Sequence, residues 1–168
     1  MAGMLDQLVD VMKEQTERHN ELHGLSLEEK DAIIKNDIDA LQNLVSLKNM
    51  VIAQNNRLEK QRISLVKDIA DVMAHKSNDI SLADLIAIIT NAADQEKLRE
   101  AGAGLRAAVE RLKEINDINK SLLESSIEFV EYSLNALRST ISPEPPEYPR
   151  RPTIGGEGNG AGTFDTKR

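Results

Sequence analysis

Apolar residues recur at three- and four-residue spacing along most of positions 4–140, the period of one face of an α-helix. The first such stretch covers 4–35, with Leu5, Leu8, Met12, His19 and Leu22 on one face. Gly24 interrupts it, and Ser26 with Glu29 has the form of a capping box that would start a new helix. A lone glycine costs only about 1 kcal/mol inside a helix, so one helix, with room for a kink, is expected to run through. Asn36-Asp37 is a stronger break, because both side chains cap helix starts well. A second helix follows over 38–73, with Ile38, Leu41, Val45, Ile52, Ile63, Val66 and Ile69 as its apolar set. Lys48, Asn55 and Arg62 interrupt its seam, which is therefore not a strict leucine zipper. A polar turn at 76–79 and a capping box from Ser81 to Asp84 precede a short helix ending near Thr90. A helix of two or three turns must dock on longer ones to persist.

The last helix is expected over 94–140, weakened in its first turns by Gly102 and Gly104. Between 112 and 137 its apolar arc is too wide for a single neighbour. On a helical wheel Leu123, Ile127, Val130, Leu134 and Leu137 form one narrow stripe. Ile115, Leu122 and Phe129 form a shoulder roughly 100° away. One packing partner needs an arc of about 100°, and stripe plus shoulder exceed it. The short helix, a second copy of the chain, or a foreign partner could each cover the excess. Asn116 and Asn119 lie near the stripe, where they either fix register between helices or hydrogen-bond a partner helix.

Periodicity ends at Ser142. Residues 142–168 hold all five prolines, and 155–162 holds five of the nine glycines. Such composition resists ordering and reads as a disordered tail. The fold class expected is therefore all-α: long antiparallel helices in a coiled-coil-like bundle, with a short central helix and a disordered C-terminal tail. The domains are a helical one over 1–141 and the Pro/Gly-rich tail over 142–168.

Composition narrows the function. A net charge of −7 argues against nucleic acid and against anionic membrane surfaces. Only 2% of the residues are aromatic, which suits a long bundle with an aliphatic seam. No window has the apolar run of a transmembrane helix, and the N-terminus lacks a signal-peptide core, so the chain reads as cytoplasmic. The absence of cysteine excludes thiolate metal sites and cysteine nucleophiles. His19 and His23 have a metal-compatible i, i+4 spacing, but no Glu-x-x-His or His-Glu-x-x-His signature accompanies them. They read as seam residues, and His75 as a cation near a helix end. The carboxylates are interleaved with Lys and Arg at helical spacing, as in Glu59–Arg62 and Glu110–Lys113, and no nucleophile–base set stands out. No enzyme, no metal and no cofactor is read.

The motif L-x-x-I-N-x-x-N-x-x-L-L, from Leu112 to Leu123, followed by EFVEYSLNAL, resembles the FlgN family of flagellar export chaperones. AIIKNDIDALQNLVSLKNMVI, ISLADLI and a glycine-rich tail ending in FDTKR extend the resemblance over nearly the whole chain. It implies a cytoplasmic, non-enzymatic chaperone that binds the C-terminal segments of the two hook–filament junction proteins, hook-associated proteins 1 and 3. On that reading the client surface comprises Asn116, Asn119, Leu122, Leu123, Ile127, Phe129, Val130, Leu134 and Leu137. Tyr148 and Phe164 would dock on the export gate or the export ATPase apparatus; the family often has Gly after this tyrosine, whereas Pro149 follows here. The rival reading is a self-associating coiled-coil scaffold without a client, whose wide arc closes a homodimer.

Overall fold

The structure, a computed structural model, describes residues 2–73 and 80–141. The turn at 76–79, His75 and the tail from 142 lie outside the described residues. Four helices follow in order: α1 (Ala2–Lys35), α2 (Ile38–Val72), α3 (Leu82–Ile88) and α4 (Ala92–Ile141). The described residues contain no strand. Two compact units are distinguished, Met1–Val130 and Glu131–Arg168.

The breaks are set locally. Asn36 adopts φ 54°, a left-handed conformation that asparagine tolerates, and its amide and that of Asp37 satisfy the Ile33 and Ala32 carbonyls. Asp37 then caps α2, its carboxylate accepting from the Ala40 amide at 3.0 Å. Ser81 and Asp84 form the expected capping box of α3. Asn91 opens α4, its Oδ1 accepting from the Ala93 amide at 2.9 Å. Gln95 Nε2 donates to the Ile89 and Ile86 carbonyls at 2.7 and 3.2 Å. It thereby ties the end of α3 to the start of α4 and satisfies carbonyls that a short helix leaves open.

Side-chain pairs define helix directions. Between α1 and α2 the bonded pairs Gln15–Glu59, His19–Asn55 and Glu29–Lys48 close progressively in sequence separation, 44, 36 and 19, so these helices are antiparallel. Between α1 and α4 the separation stays at 90–91 for Asp6–Lys97, Asn20–Arg111, Ser26–Asn116 and Glu29–Asn119, so these two run parallel in one register. The connection through α3 returns the chain to the starting end.

Each long helix turns one heptad seam inward. On α1 it is Leu5, Leu8, Met12, Gln15, His19, Leu22, Ser26, Glu29 and Ile33; on α4 it runs Leu98, Ala101, Leu105, Ala108, Leu112, Ile115, Asn119, Leu122. Alternating steps of three and four are the signature of coiled-coil packing. The apolar end of the bundle gathers Leu8, Met12, Ile69, Leu85 and Leu98 into one core, each nearly inaccessible. Burying each such side chain stabilises by roughly 1.5–3 kcal/mol. Gly102 serves this end: a Cβ there would sit 2.7 Å from Leu82 Cδ2, so the glycine lets α3 approach α4. Gly104 has nothing within 4 Å of its would-be Cβ and no such reason.

As expected, one helix runs through Gly24, and Ser26 with Glu29 caps nothing: Ser26 lies mid-helix and buried. One expectation changes. On α2 the buried residues are Leu44, Val51, Leu58, Ile69 and Ala70, whereas Ile38, Val45, Ile52 and Ile63 are exposed. Both apolar sets share the helical period; the partner side chains on α1 select the one that carries Lys48, Asn55 and Arg62 between its leucines.

Candidate functional site

Two polar layers cross the bundle. In the first, Gln15 and His19 of α1 meet Asn55, Glu59 and Arg62 of α2. Gln15 Nε2 donates to Glu59 Oε2 at 2.9 Å, Arg62 grips the same carboxylate at 2.6 and 2.8 Å, and Asn55 Nδ2 lies 3.4 Å from His19 Nε2. The Arg62 fork holds the Glu59 carboxyl below its ordinary range. Burial pushes the His19 imidazole below its ordinary value of 6.5, against a smaller upward pull from Glu59. Gln15 Oε1, His19 Nδ1 and Asn55 Oδ1 are buried without a protein partner.

This layer predicts a pH dependence. Because folding lowers the His19 pKa, the unfolded chain binds its proton more readily. Stability is full above pH 6.5 and declines as pH falls below that value toward the folded pKa. Urea unfolding at pH 7.5 and 5.5 should show a lower midpoint at 5.5, and His19→Gln should flatten the difference. An unchanged slope in that variant would assign the dependence elsewhere.

The second layer joins three helices. Glu29 Oε2 accepts from Lys48 Nζ at 2.7 Å and from Asn119 Nδ2 at 2.9 Å. Asn119 Nδ2 also donates to the Ser26 carbonyl at 2.8 Å, and Ser26 Oγ bonds Asn116 Oδ1 at 3.0 Å. Asn119 is only 3% exposed. The paired asparagines are thus engaged with α1, at a level where aliphatic side chains would allow the register to slip.

Just beyond this layer α4 changes frame. The shoulder belongs to the bundle seam as far as Leu122: Ile115 is buried and Leu122 half-buried. An offset of 90–91 brings Lys35, the last residue of α1, level with positions 125–126. From there the seam positions have no α1 residue opposite, and the sequence answers with Ser126 and an exposed Phe129. The apolar stripe moves one residue along, to Leu123, Ile127 and Val130, which are 41, 58 and 54% exposed. It is contiguous exposed apolar patches, rather than singly scattered side chains, that mark interaction surfaces. In the second unit, Leu134 and Leu137 are also exposed, beside Tyr132.

Sequence reasoning missed two contributors. Ser26 looked like a cap although it anchors α4, and only its buried partner distinguishes the roles. The exposed set on α2 looked like core. Tyr148 and Phe164 lie outside the described residues. Among the described residues no group of three or more His, Cys, Asp or Glu could hold a metal ion, and no helix is long and apolar enough to cross a membrane.

Comparison with curated proteins and with solved structures gave no match. A family comparison did: residues 1–149 match the model of the FlgN protein. The match includes all four helices and the Asn116/Asn119 layer. With that match over most of its length, the chain belongs to the FlgN family, a family of flagellar export chaperones rather than enzymes.

Proposed function

We propose that this chain is a cytoplasmic chaperone that holds the C-terminal segments of hook-associated proteins 1 and 3 until they reach the export machinery. The observation that carries this reading is the exposed aliphatic stripe of α4, Leu123, Ile127 and Val130, on a helix whose neighbouring seam is already satisfied. Phe129 is exposed in the same unit, and Leu134 and Leu137 are exposed in the second unit. Asn116, Asn119 and Leu122 act indirectly, by fixing the rotation of α4 that presents the stripe. An amphipathic client helix laid on such a surface shields its own apolar face before assembly. Because the client orders on binding, affinity stays moderate for the area buried, which suits release.

Isothermal titration of the purified chain with C-terminal segments of hook-associated proteins 1 and 3 tests this reading. Saturable one-to-one binding supports it. No binding of either segment removes it, and a dimer whose formation hides the stripe would favour the self-associating scaffold instead. Tyr148 and Phe164 are assigned to docking on the export apparatus. A chain ending at Ile141 should therefore bind client as tightly as the full chain yet fail to restore secretion in cells lacking the chaperone. Equal secretion by the two forms would remove the docking role.

A further inference from the structure

We infer that the client site is a two-walled groove, with α2 as its second wall, and that it takes an amphipathic helix with basic flanks. The inference rests on the chaperone reading above and adds residues of α2 that the reading does not use. Glu29 Oε2 binds Lys48 and Asn119 together, so these two residues stand at one level of the bundle. From that level toward the end of the α1–α2 hairpin, α2 runs backward in sequence and α4 forward. Val45 and Leu123 lie three and four residues on, about 4.5 and 6 Å along their axes. Leu41 pairs in level with Ile127, and Ile38 with Val130, at successive turns. Three apolar steps therefore face one another along about 10–15 Å, or two to three helical turns.

The six side chains share a flank. The opposite flank of the α1–α2 crevice is lined by Ala32, Asn43, Leu44 and Leu47, with no residue from α4. Going round α2 from Leu47 across the Leu44/Val51 seam leads through Lys48 to Leu41, and then to Val45 and Ile38. Their flank is therefore the one toward α4. On α4, Gly104 lines the outer crevice with α1, and Arg111, a heptad further on the same side of the helix, reaches Asn20 of α1. Leu123 and Ile127 fall on the other side of the α4 seam, toward α2. Ile38 is 60% and Val45 49% exposed, figures matching those across the groove.

Charge selects the occupant. Glu124 and Glu128 are exposed beside the α4 stripe, with Lys120 3.9 Å from Glu124; on α2, Asp39 is exposed next to Ile38, and Lys48 at the head of the groove is held by Glu29 at 2.7 Å. A second copy seated in a two-fold contact would bring these acids toward their own equivalents. An incoming helix with Lys or Arg beside its apolar stripe meets them favourably.

The test uses the full chain and a fluorescent C-terminal segment of hook-associated protein 1, read by anisotropy. Val45→Asp and Ile38→Asp change exposed residues and should leave the fold intact, while weakening binding by about tenfold or more. Ile63→Asp, exposed on α2 but about 27 Å from Val45 along the axis, should bind as the wild type does. If Val45→Asp and Ile38→Asp bind normally while Val130→Asp does not, the second wall is wrong and the chaperone reading stands. If Ile63→Asp weakens binding equally, the α2 effect is not a groove effect and the inference fails. If the wild-type chain binds no segment, the chaperone reading fails and takes the groove with it. If light scattering shows a wild-type dimer that Val45→Asp dissociates, a second copy occupies this flank and the inference is overturned.

Discussion

Val130→Asp should abolish capture of the client segments while leaving the chain as helical and as stable as the wild type. Val130 is 54% exposed, so the new carboxylate is hydrated in the chain alone. Valine and aspartate have similar helix propensities, and the substitution should alter folding stability by only a few tenths of a kcal/mol. Binding is different. A client helix laid over Leu123, Ile127 and Val130 would strip water from the carboxylate without supplying a partner. That desolvation costs several kcal/mol, and each 1.4 kcal/mol is tenfold in affinity, so a loss of about a hundredfold or more is expected. Titration calorimetry beside a thermal melt by circular dichroism separates the two effects. A dissociation constant within about threefold of wild type would show that the stripe does not touch client.

Asn119→Asp should do the reverse, damaging the fold before it touches any partner. The two side chains have nearly the same shape, so packing is conserved. The amide now donates to the Ser26 carbonyl and to Glu29 Oε2 from a site that is 3% exposed. An ionised aspartate has no hydrogen to give and would face a carbonyl and a carboxylate instead. Leaving the Ser26 carbonyl without this donor and Glu29 with Lys48 alone, beside a second negative charge, should cost about 3 kcal/mol near neutral pH. Burial and the neighbouring charge raise the pKa of the introduced carboxyl, so part of the loss returns as pH falls and the group takes up a proton. Urea unfolding of variant and wild type at pH 7.5 and pH 5 measures both. A deficit below about 1 kcal/mol, or one independent of pH, would mean that this layer does not hold α4 to α1.

Together these substitutions separate what α4 does inward from what it offers outward. The two surfaces are neighbouring heptad frames of one helix. They diverge where α1 runs out, near the level of position 126. In sequence this appears as a wide apolar arc. In the structure it is a seam that ends and a stripe that begins.

Much of the architecture follows from local patterns. The three- and four-residue period marks each long helix because side chains that far apart share a face. The stops are local too: Asp37 reaches only to Ala40, Ser81 only to Asp84, and Asn91 only to Ala93 and Asp94. Such contacts depend on residues within one turn, and reading along the chain finds them. The family motif around Asn116 and Asn119 could be read the same way, since its letters are contiguous.

Faces are another matter. On α2, Val45 and Ile52 have the same period as Leu44 and Val51 and lie 100° round the helix. Nothing within α2 says which pair is buried. The choice is made by Glu29, His19 and Gln15 on α1, which meet Lys48, Asn55 and Glu59 across separations of 19 to 44 residues. Ser26 is the same case: its cap-like spacing is local, but its buried role comes from Asn116 and Asn119, 90 and 93 residues away. The helices, their ends and the family were therefore set by the amino-acid order alone, because short-range geometry suffices for them. Which face is core and which is surface depended on the assembled bundle, because burial is the summed outcome of pairings between distant segments.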